Sequence, residues 1–369
     1  MLKQYKLRNY HFQLIIAIVA LNIIGILLIG SARASVQKTQ IMGFMMGMVI
    51  MIVISLMDYS FILKFSWLYY IGIVGILILV LTPLAGHDSH GAQRWIQLPG
   101  FRFQPSELAK IVIILFFAWF FSKYQEKIST FKVLCVSFII IGIPLVLILK
   151  QPDTSTTIAI ALIFVSLLFI AGLSYKIILT VLGISVPAGI IGISFLLRKA
   201  LTSGDYRFGR IMSWLYPNDP RWAETADQQQ NSIMAIGSGQ LWGKGLNNSI
   251  ATSMRNADYI VEPQTDFIFA VAGEELGFVG TLVISLLLLF IIIECILIAG
   301  KAKDLSGRLI CVGMASLVGF QSVFNIFVAT GLMPNTGIPL PFVSYGLTSL
   351  ISLYIGMGFV LNVGLQPKK

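Results

Sequence analysis

The chain has 369 residues, 57% of them hydrophobic and only 11% charged, with a mean hydropathy of +0.86. A soluble domain of this size buries its core with far fewer apolar residues; here they come in blocks of about 17 to 25, the length that crosses a hydrocarbon layer of about 30 Å. No series of short alternating segments points to a barrel, and Cys135, Cys295 and Cys311 all lie within apolar runs, as small buried hydrophobes rather than a disulfide or metal framework.

The apolar blocks predict an all-α polytopic membrane protein with ten transmembrane helices, near 12–31, 40–57, 67–84, 105–122, 131–149, 155–173, 175–197, 266–299, 306–331 and 342–364. Residues 1–369 read as a single membrane domain with a large extracellular loop, about 199–265, between helices 7 and 8. Lys3, Lys6 and Arg8 precede a long apolar run with no small-residue cleavage site, so the first block reads as a retained helix.

An even number of spans puts both termini on one side. That side then collects thirteen Lys and Arg residues, against five in the short loops opposite (Arg33, Lys38, Arg94, Arg102 and Lys150). Basic residues in short loops stay inside, so both termini are expected in the cytoplasm. The net charge of +10 is thereby a topology signal and not a nucleic-acid footprint.

The polar interest gathers at the outer ends. In QPSELAK (104–110), Pro105 suits a first helical position, and Glu107 and Lys110 lie three apart on one face, either as a structural pair or lining a hydrated cavity. In LKQPDTST (149–156), Asp153 suits a helix cap, and Lys150 stands outside against the charge rule, a candidate for an anionic ligand. Residues 87–107 read as an outer loop, in which His87 and His90 are solvated. The long loop, with its Trp and Tyr, is expected to fold against the membrane surface.

PQTDFIFAVAGEELGF (263–278) carries three acids into an apolar span. Asp266 is expected at the start of the eighth helix, where an acid either caps or acts. At 100° per residue Ala270, Gly273 and Gly277 fall beneath it, whereas Glu274 lies about 12 Å deeper and Glu275 faces away. Glu274 and Glu275 are therefore expected to hold neighbouring helices or a water pocket. In GLMPNTGIPLPFVSYG (331–346) three prolines and three glycines forbid a regular helix, so a re-entrant segment before helix 10 is expected to wall the same site, with Ser344 and Tyr345 as polar groups. No Walker loop, HExxH, GxSxG or Asp-x-Asp pair occurs.

Six pieces together, GAQRWI (91–96), QPSELAK, KQPDTST, SIMAIGSGQLWGKG (232–245), TDFIFAVAGEELG (265–277) and GIPLPFVSYG (337–346), resemble in order and over nearly the whole chain the SEDS family (shape, elongation, division and sporulation). Its members include RodA and FtsW, and the short ends of this chain lean towards RodA. Leu347 stands where the family has a second glycine after SYG, and Asn335 is unusual after Met-Pro. The resemblance implies a peptidoglycan glycosyltransferase that polymerises lipid II at the outer face of the bacterial plasma membrane, in elongation, division or sporulation. It also implies a class B penicillin-binding protein as partner.

The family's essential aspartate falls on Asp266, and its cavity Glu and Lys on Glu107 and Lys110. Asp266 is then the base that takes the acceptor proton, or else holds a divalent cation (Mg2+ or Mn2+) on the diphosphate. Arg94, Arg102 or Lys150 would offset the diphosphate charge, with Asp153 and Ser344 beside them. Two rivals remain at this level: a flippase for lipid II, for which Glu294 near the inner end is the one hint, and a non-catalytic scaffold for the crosslinking partner.

Overall fold

The computed structural model describes residues 10–82, 86–89, 92–98, 101–175, 209–247 and 262–366, with isolated positions 179, 183 and 187. Its long helices are α1 (Phe12–Ala32), α2 (Ala34–Leu56), α4 (Ser66–Val80, continuous with a short α3 at Tyr59–Ile62), α5 (Pro105–Lys123), α6 (Phe131–Lys150) and α7 (Thr154–Ile170). Two shorter helices, α8 (Gly209–Leu215) and α9 (Ala223–Ser238), precede α10 (Ile268–Lys301), α11 (Leu305–Ala329) and α12 (Leu347–Leu365). Eight of these segments are long and apolar enough to cross a bilayer, and α7 is a shorter apolar helix of 17 residues. Nine of the ten predicted spans are thus helical among the described residues; the seventh, 175–197, falls almost wholly outside them. The chain is a multi-pass helical membrane protein.

Burial sorts the helices. In α5 and α12 78% of the apolar window is inside the protein, against 28% in α2 and α6, so the first two form the centre and the others face lipid. Leucine is no less soluble in lipid than in a core, so such helices associate through close fit. A Cβ on Gly47 of α2 would stand 2.1 Å from the ring of Tyr354 on α12, and one on Gly356 would strike Met314 of α11. Both glycines are there because a larger neighbour fills their place.

The structure departs from, or adds to, the sequence expectation in three places. First, within the expected loop 87–107 lies a three-stranded antiparallel sheet, β1 (Gly86–Ser89), β2 (Ala92–Leu98) and β3 (Phe101–Phe103), in the order β1-β2-β3. Pro99-Gly100 between β2 and β3 is an ordinary turn signal, and β3 feeds directly into Pro105 at the start of α5. Second, the described part of the long loop packs on protein: Gln229 donates to the carbonyls of Val328 (2.9 Å) and Met333 (2.6 Å), and Ser232 to that of Ala329 (2.8 Å). Two of these carbonyls belong to the last turn of α11 and the third to the segment that follows it.

Third, α10 is not one regular helix. Asp266 lies in the turn before Ile268, and Gly277, at φ 68° and ψ −166°, breaks the helix. The small-residue stripe projected from Asp266 to Gly277 therefore does not run as a straight helix would carry it. The groups freed by the break are taken up by the loop: Lys244 and Gly245 amides donate to the carbonyls of Glu274 (2.9 Å) and Glu275 (3.0 Å), and the Phe278 amide to Gln240 (2.8 Å). Added side chains at Gly243 or Gly277 would strike this backbone within 2.3 Å, so only glycine permits the approach. Beyond the break, Phe278–Lys301 spans about 36 Å at 1.5 Å per residue, close to the bilayer core.

Candidate active site

One end of the bundle holds a cavity of about 210 Å³. Its wall combines Arg94 and Trp95 of β2, Glu107 of α5, Asp153 and Thr156 at the start of α7, and Arg210 of α8. Glu262, Thr265, Asp266, Gln321 of α11 and Gly337 to Pro339 complete it, with Tyr345 to Ser349 leading into α12.

Glu107 is the third residue of α5, where Pro105 occupies the first position and the positive helix end favours an acid. Its Oε1 is 2.7 Å from Lys110 Nζ, and both side chains are buried. A buried pair is tolerated when each charge answers the other. Below it α5 continues as Ile111, Ile114 and Phe117, all in the apolar core. Glu107 thus shows an edge to the cavity, and Lys110 holds it from beneath.

Asp153 caps α7 and also lines the cavity: its Oδ1 accepts from the Thr156 amide (3.1 Å) and its Oδ2 from the Thr156 hydroxyl (2.9 Å). Arg94 is fixed by donating from Nε to the Gln151 carbonyl (3.0 Å) and from Nη2 to that of Pro152 (2.5 Å). The unexpected sheet therefore has a clear local purpose, which is to bring a guanidinium to the turn between α6 and α7.

Asp266 faces the cavity from its turn. A Cβ on Gly337, which has φ 69°, would lie 3.3 Å from Asp266 Oδ2 and 3.8 Å from Arg210 Nη1. Burial pushes the carboxyl up to about 6, with Arg210 pulling it down, Glu262 pushing it up, and Arg94 and Asp153 adding smaller opposed effects.

The remaining candidates lie elsewhere. Ser344 is a strut: its hydroxyl donates to the Thr265 carbonyl (2.7 Å) and accepts from the Leu340 amide (2.8 Å). Lys150 is exposed at the end of α6, Arg102 is exposed on β3, and neither lines the cavity. Glu274 pairs with Lys244 (2.8 Å), and Glu275 accepts from the hydroxyl of Ser31. Among the described residues no three His, Cys, Asp or Glu side chains stand close enough to hold a metal ion.

Sequence reasoning missed Arg210, Gln321 and Asn325. Arg210 sits in a long loop whose charges carry no topology signal. Gln321 and Asn325 did leave one, since two amides four apart in an apolar span share a helix face.

An acid raised by burial in a cavity that it shares with two arginines, at one end of an apolar bundle, fits a membrane-embedded enzyme. The FtsW/RodA/SpoVE family of cell cycle proteins matches residues 6–369, and the chain belongs to it. It is 33% identical to a probable peptidoglycan glycosyltransferase FtsW of Geobacter sulfurreducens, over 98% of this chain and 97% of that one. It is 35% identical to the peptidoglycan glycosyltransferase MrdB of Escherichia coli K12, over 96% and 93%. The stage V sporulation protein E of Bacillus subtilis is 36% identical, over 88% and 86%. A solved structure of a peptidoglycan synthase complex superposes with a TM-score of 0.77 at 26% identity, covering 96% of this chain and 97% of that one. The rod shape determining protein RodA of Thermus thermophilus superposes with a TM-score of 0.70, also at 26% identity, covering 96% of each.

Proposed function

We propose that this chain is a peptidoglycan glycosyltransferase that polymerises lipid II, with Asp266 as its general base. The observation that carries the assignment of Asp266 is its place: a carboxylate on the wall of a cavity that Arg210 and Arg94 also line, raised by burial towards neutrality. The acceptor sugar hydroxyl of one lipid II attacks the anomeric carbon of the growing chain. A C–O bond forms there as the bond to the lipid diphosphate breaks, and the electron pair leaves with the diphosphate. The hydroxyl proton passes to the Asp266 carboxylate. Diphosphate departs without needing a proton, so a single acid suffices, and Arg94 and Arg210 offset the charge it carries.

The finer topology belongs to the same reading: ten spans in one domain, both termini in the cytoplasm, and the cavity on the outer face of the bacterial plasma membrane. The agreement of nine helices with the predicted spans and the bias of basic residues support it. The crosslinking partner is a class B penicillin-binding protein, a reading supported by the likeness to a peptidoglycan synthase complex. A divalent cation on the diphosphate has no ligand set of three among the described residues, so the step above is written without one. The flippase reading loses its hint, because Glu294 is engaged by His11 Nδ1 at 3.3 Å.

The test is polymerisation of lipid II by purified protein, with a partner that lacks any polymerase domain, read as chain length on a gel with and without a chelator. Wild-type chain should form polymer and D266N should form none. Polymer from D266N at the wild-type rate would remove Asp266 from the chemistry, and loss of polymer with chelator would bring the cation back in.

A further inference from the structure

The Asp266 turn has an unusual anchorage. Three successive carbonyls, of Gln264, Thr265 and Asp266, each accept a hydrogen bond from a different group outside the turn. The donors are the Tyr345 amide (2.8 Å), the Ser344 hydroxyl (2.7 Å) and the Asn325 side-chain amide (2.8 Å). Asn325 Nδ2 also donates to the Ile338 carbonyl at 2.8 Å. One buried nitrogen on α11 therefore ties the chain bearing the carboxylate to the chain that passes across it at Gly337.

The energetics of Asn325 argue for more than packing. The residue is 1% exposed in an apolar span, and its Oδ1 has no partner. A half-satisfied buried amide is a poor way to gain stability, since an orphaned acceptor costs about 1–3 kcal/mol. The orientation is nonetheless fixed, because turning the amide over would set an oxygen against two carbonyls. What the arrangement secures is geometry. The Asp266 turn and the Ile338 segment are held relative to one strut on a rigid helix.

We infer that Asn325 is a positioning residue for the glycosyl transfer: it holds the Asp266 turn against the Ile338 segment so that the carboxylate meets the acceptor hydroxyl. The inference rests on the reading of Asp266 as the base. A displacement of about 1 Å at a reacting group costs on the order of 100-fold in rate. Asn325 itself does not line the cavity, so substrate affinity should be spared.

The test uses the full chain with its partner, and N325L, which keeps the branched side-chain skeleton and removes the donor. Three quantities are read: kcat and KM for lipid II, the pH midpoint of kcat/KM, and the melting temperature. The expected result is a kcat lower by about 10- to 100-fold with KM within about twofold. The pH midpoint should move from about 6 towards the ordinary carboxylate range as the loosened turn takes on water. An unchanged kcat overturns the inference. So does a kcat loss that follows the melting temperature with the pH midpoint fixed, since that is the mark of a merely structural residue.

Should N325L fail to fold, S344A, which releases the Thr265 carbonyl, is judged by the same two criteria, with an expected kcat loss of about 3- to 10-fold. An active D266N removes the base itself, whatever Asn325 does. An inactive D266N beside an N325L of normal kcat and pH midpoint overturns the positioning alone.

Discussion

The two ends of the helical bundle use the same residue types to opposite effect. At the end away from the cavity, Asp304 Oδ1 accepts from the Gly307 amide and from the hydroxyl of Tyr59, both at 2.8 Å, and Asp58 caps α3 through Ser60 (2.9 Å). Glu294 meets His11, and Asn362 accepts from the Tyr59 amide (3.0 Å) while donating to the Ser55 carbonyl (2.8 Å). These groups close helix ends. At the cavity end the acids keep a face on open space, and the backbone around them is irregular. A polar group in a membrane helix is therefore no functional signal until its partners are known. The informative case is the acid that keeps a face on open space.

The sharpest way to break this comparison is to neutralise one acid of the open kind. D266N should lower polymerisation by at least about 1,000-fold, the scale for loss of a general base acting with its local electrostatics. Its stability should move the other way. Folding raises this carboxyl from 3.8 to about 6, so between those values the folded state binds the extra proton. The stabilisation is present below pH 3.8 and lost as pH rises through about 6, leaving the ionised group unfavourable at pH 7. D266N should accordingly melt no lower than wild type at pH 7 in detergent. A marked drop in melting temperature would make Asp266 a structural acid like Asp304.

Glu107 and Lys110 stand between the two kinds. K110M leaves Glu107 buried without its counter-charge and should destabilise the protein by about 3–5 kcal/mol, read as a detergent melting shift. The double variant E107Q/K110M should recover most of that loss. If it recovers stability and activity together, the pair serves the fold. If activity stays low, the edge of Glu107 on the cavity matters to substrate.

Arg210 sharpens the contrast from the loop side. Its charge pulls the Asp266 pKa down, so R210A should move the pH midpoint of kcat/KM upward from about 6 and lower the rate at neutral pH by about 10-fold. E262Q, removing the charge that pushes the same group up, should move the midpoint the other way. A midpoint that ignores both would show that another group controls the profile.

The sequence carried the spans well, because block length against bilayer thickness leaves little freedom, and Pro105 marked the start of α5 to the residue. It carried Asp266, Glu107, Asp153 and Arg94 into the same cavity wall through separate motifs. It misjudged the start of α10, since Thr265-Asp266-Phe267 looks like a cap, and the forces that hold it as a turn come from segment 331–346, far along the chain. The break at Gly277 was hidden for a related reason. Glycine is common in membrane helices, and only the docked backbone of 240–245 makes this one a break. Arg210 was beyond reach, because no local pattern places a long loop over a cavity.

The smallest effect is expected at the far end. His11 Nδ1 and Glu294 Oε2 lie 3.3 Å apart, with the histidine side chain 21% exposed and the glutamate 9%. His11 precedes the first residue of α1, and a Cβ on Gly364 of α12 would strike its ring, so the pair joins three helices at their ends. A partly hydrated pair of this kind contributes about 0–1 kcal/mol. E294Q keeps the size and a hydrogen-bonding oxygen, so it should shift the melting temperature by no more than a few degrees and leave kcat, KM and the pH midpoint unchanged. The comparison turns on that last clause. A change in polymerisation from E294Q, with the melting temperature held, would mean that the closed end communicates with the cavity across the membrane along α10.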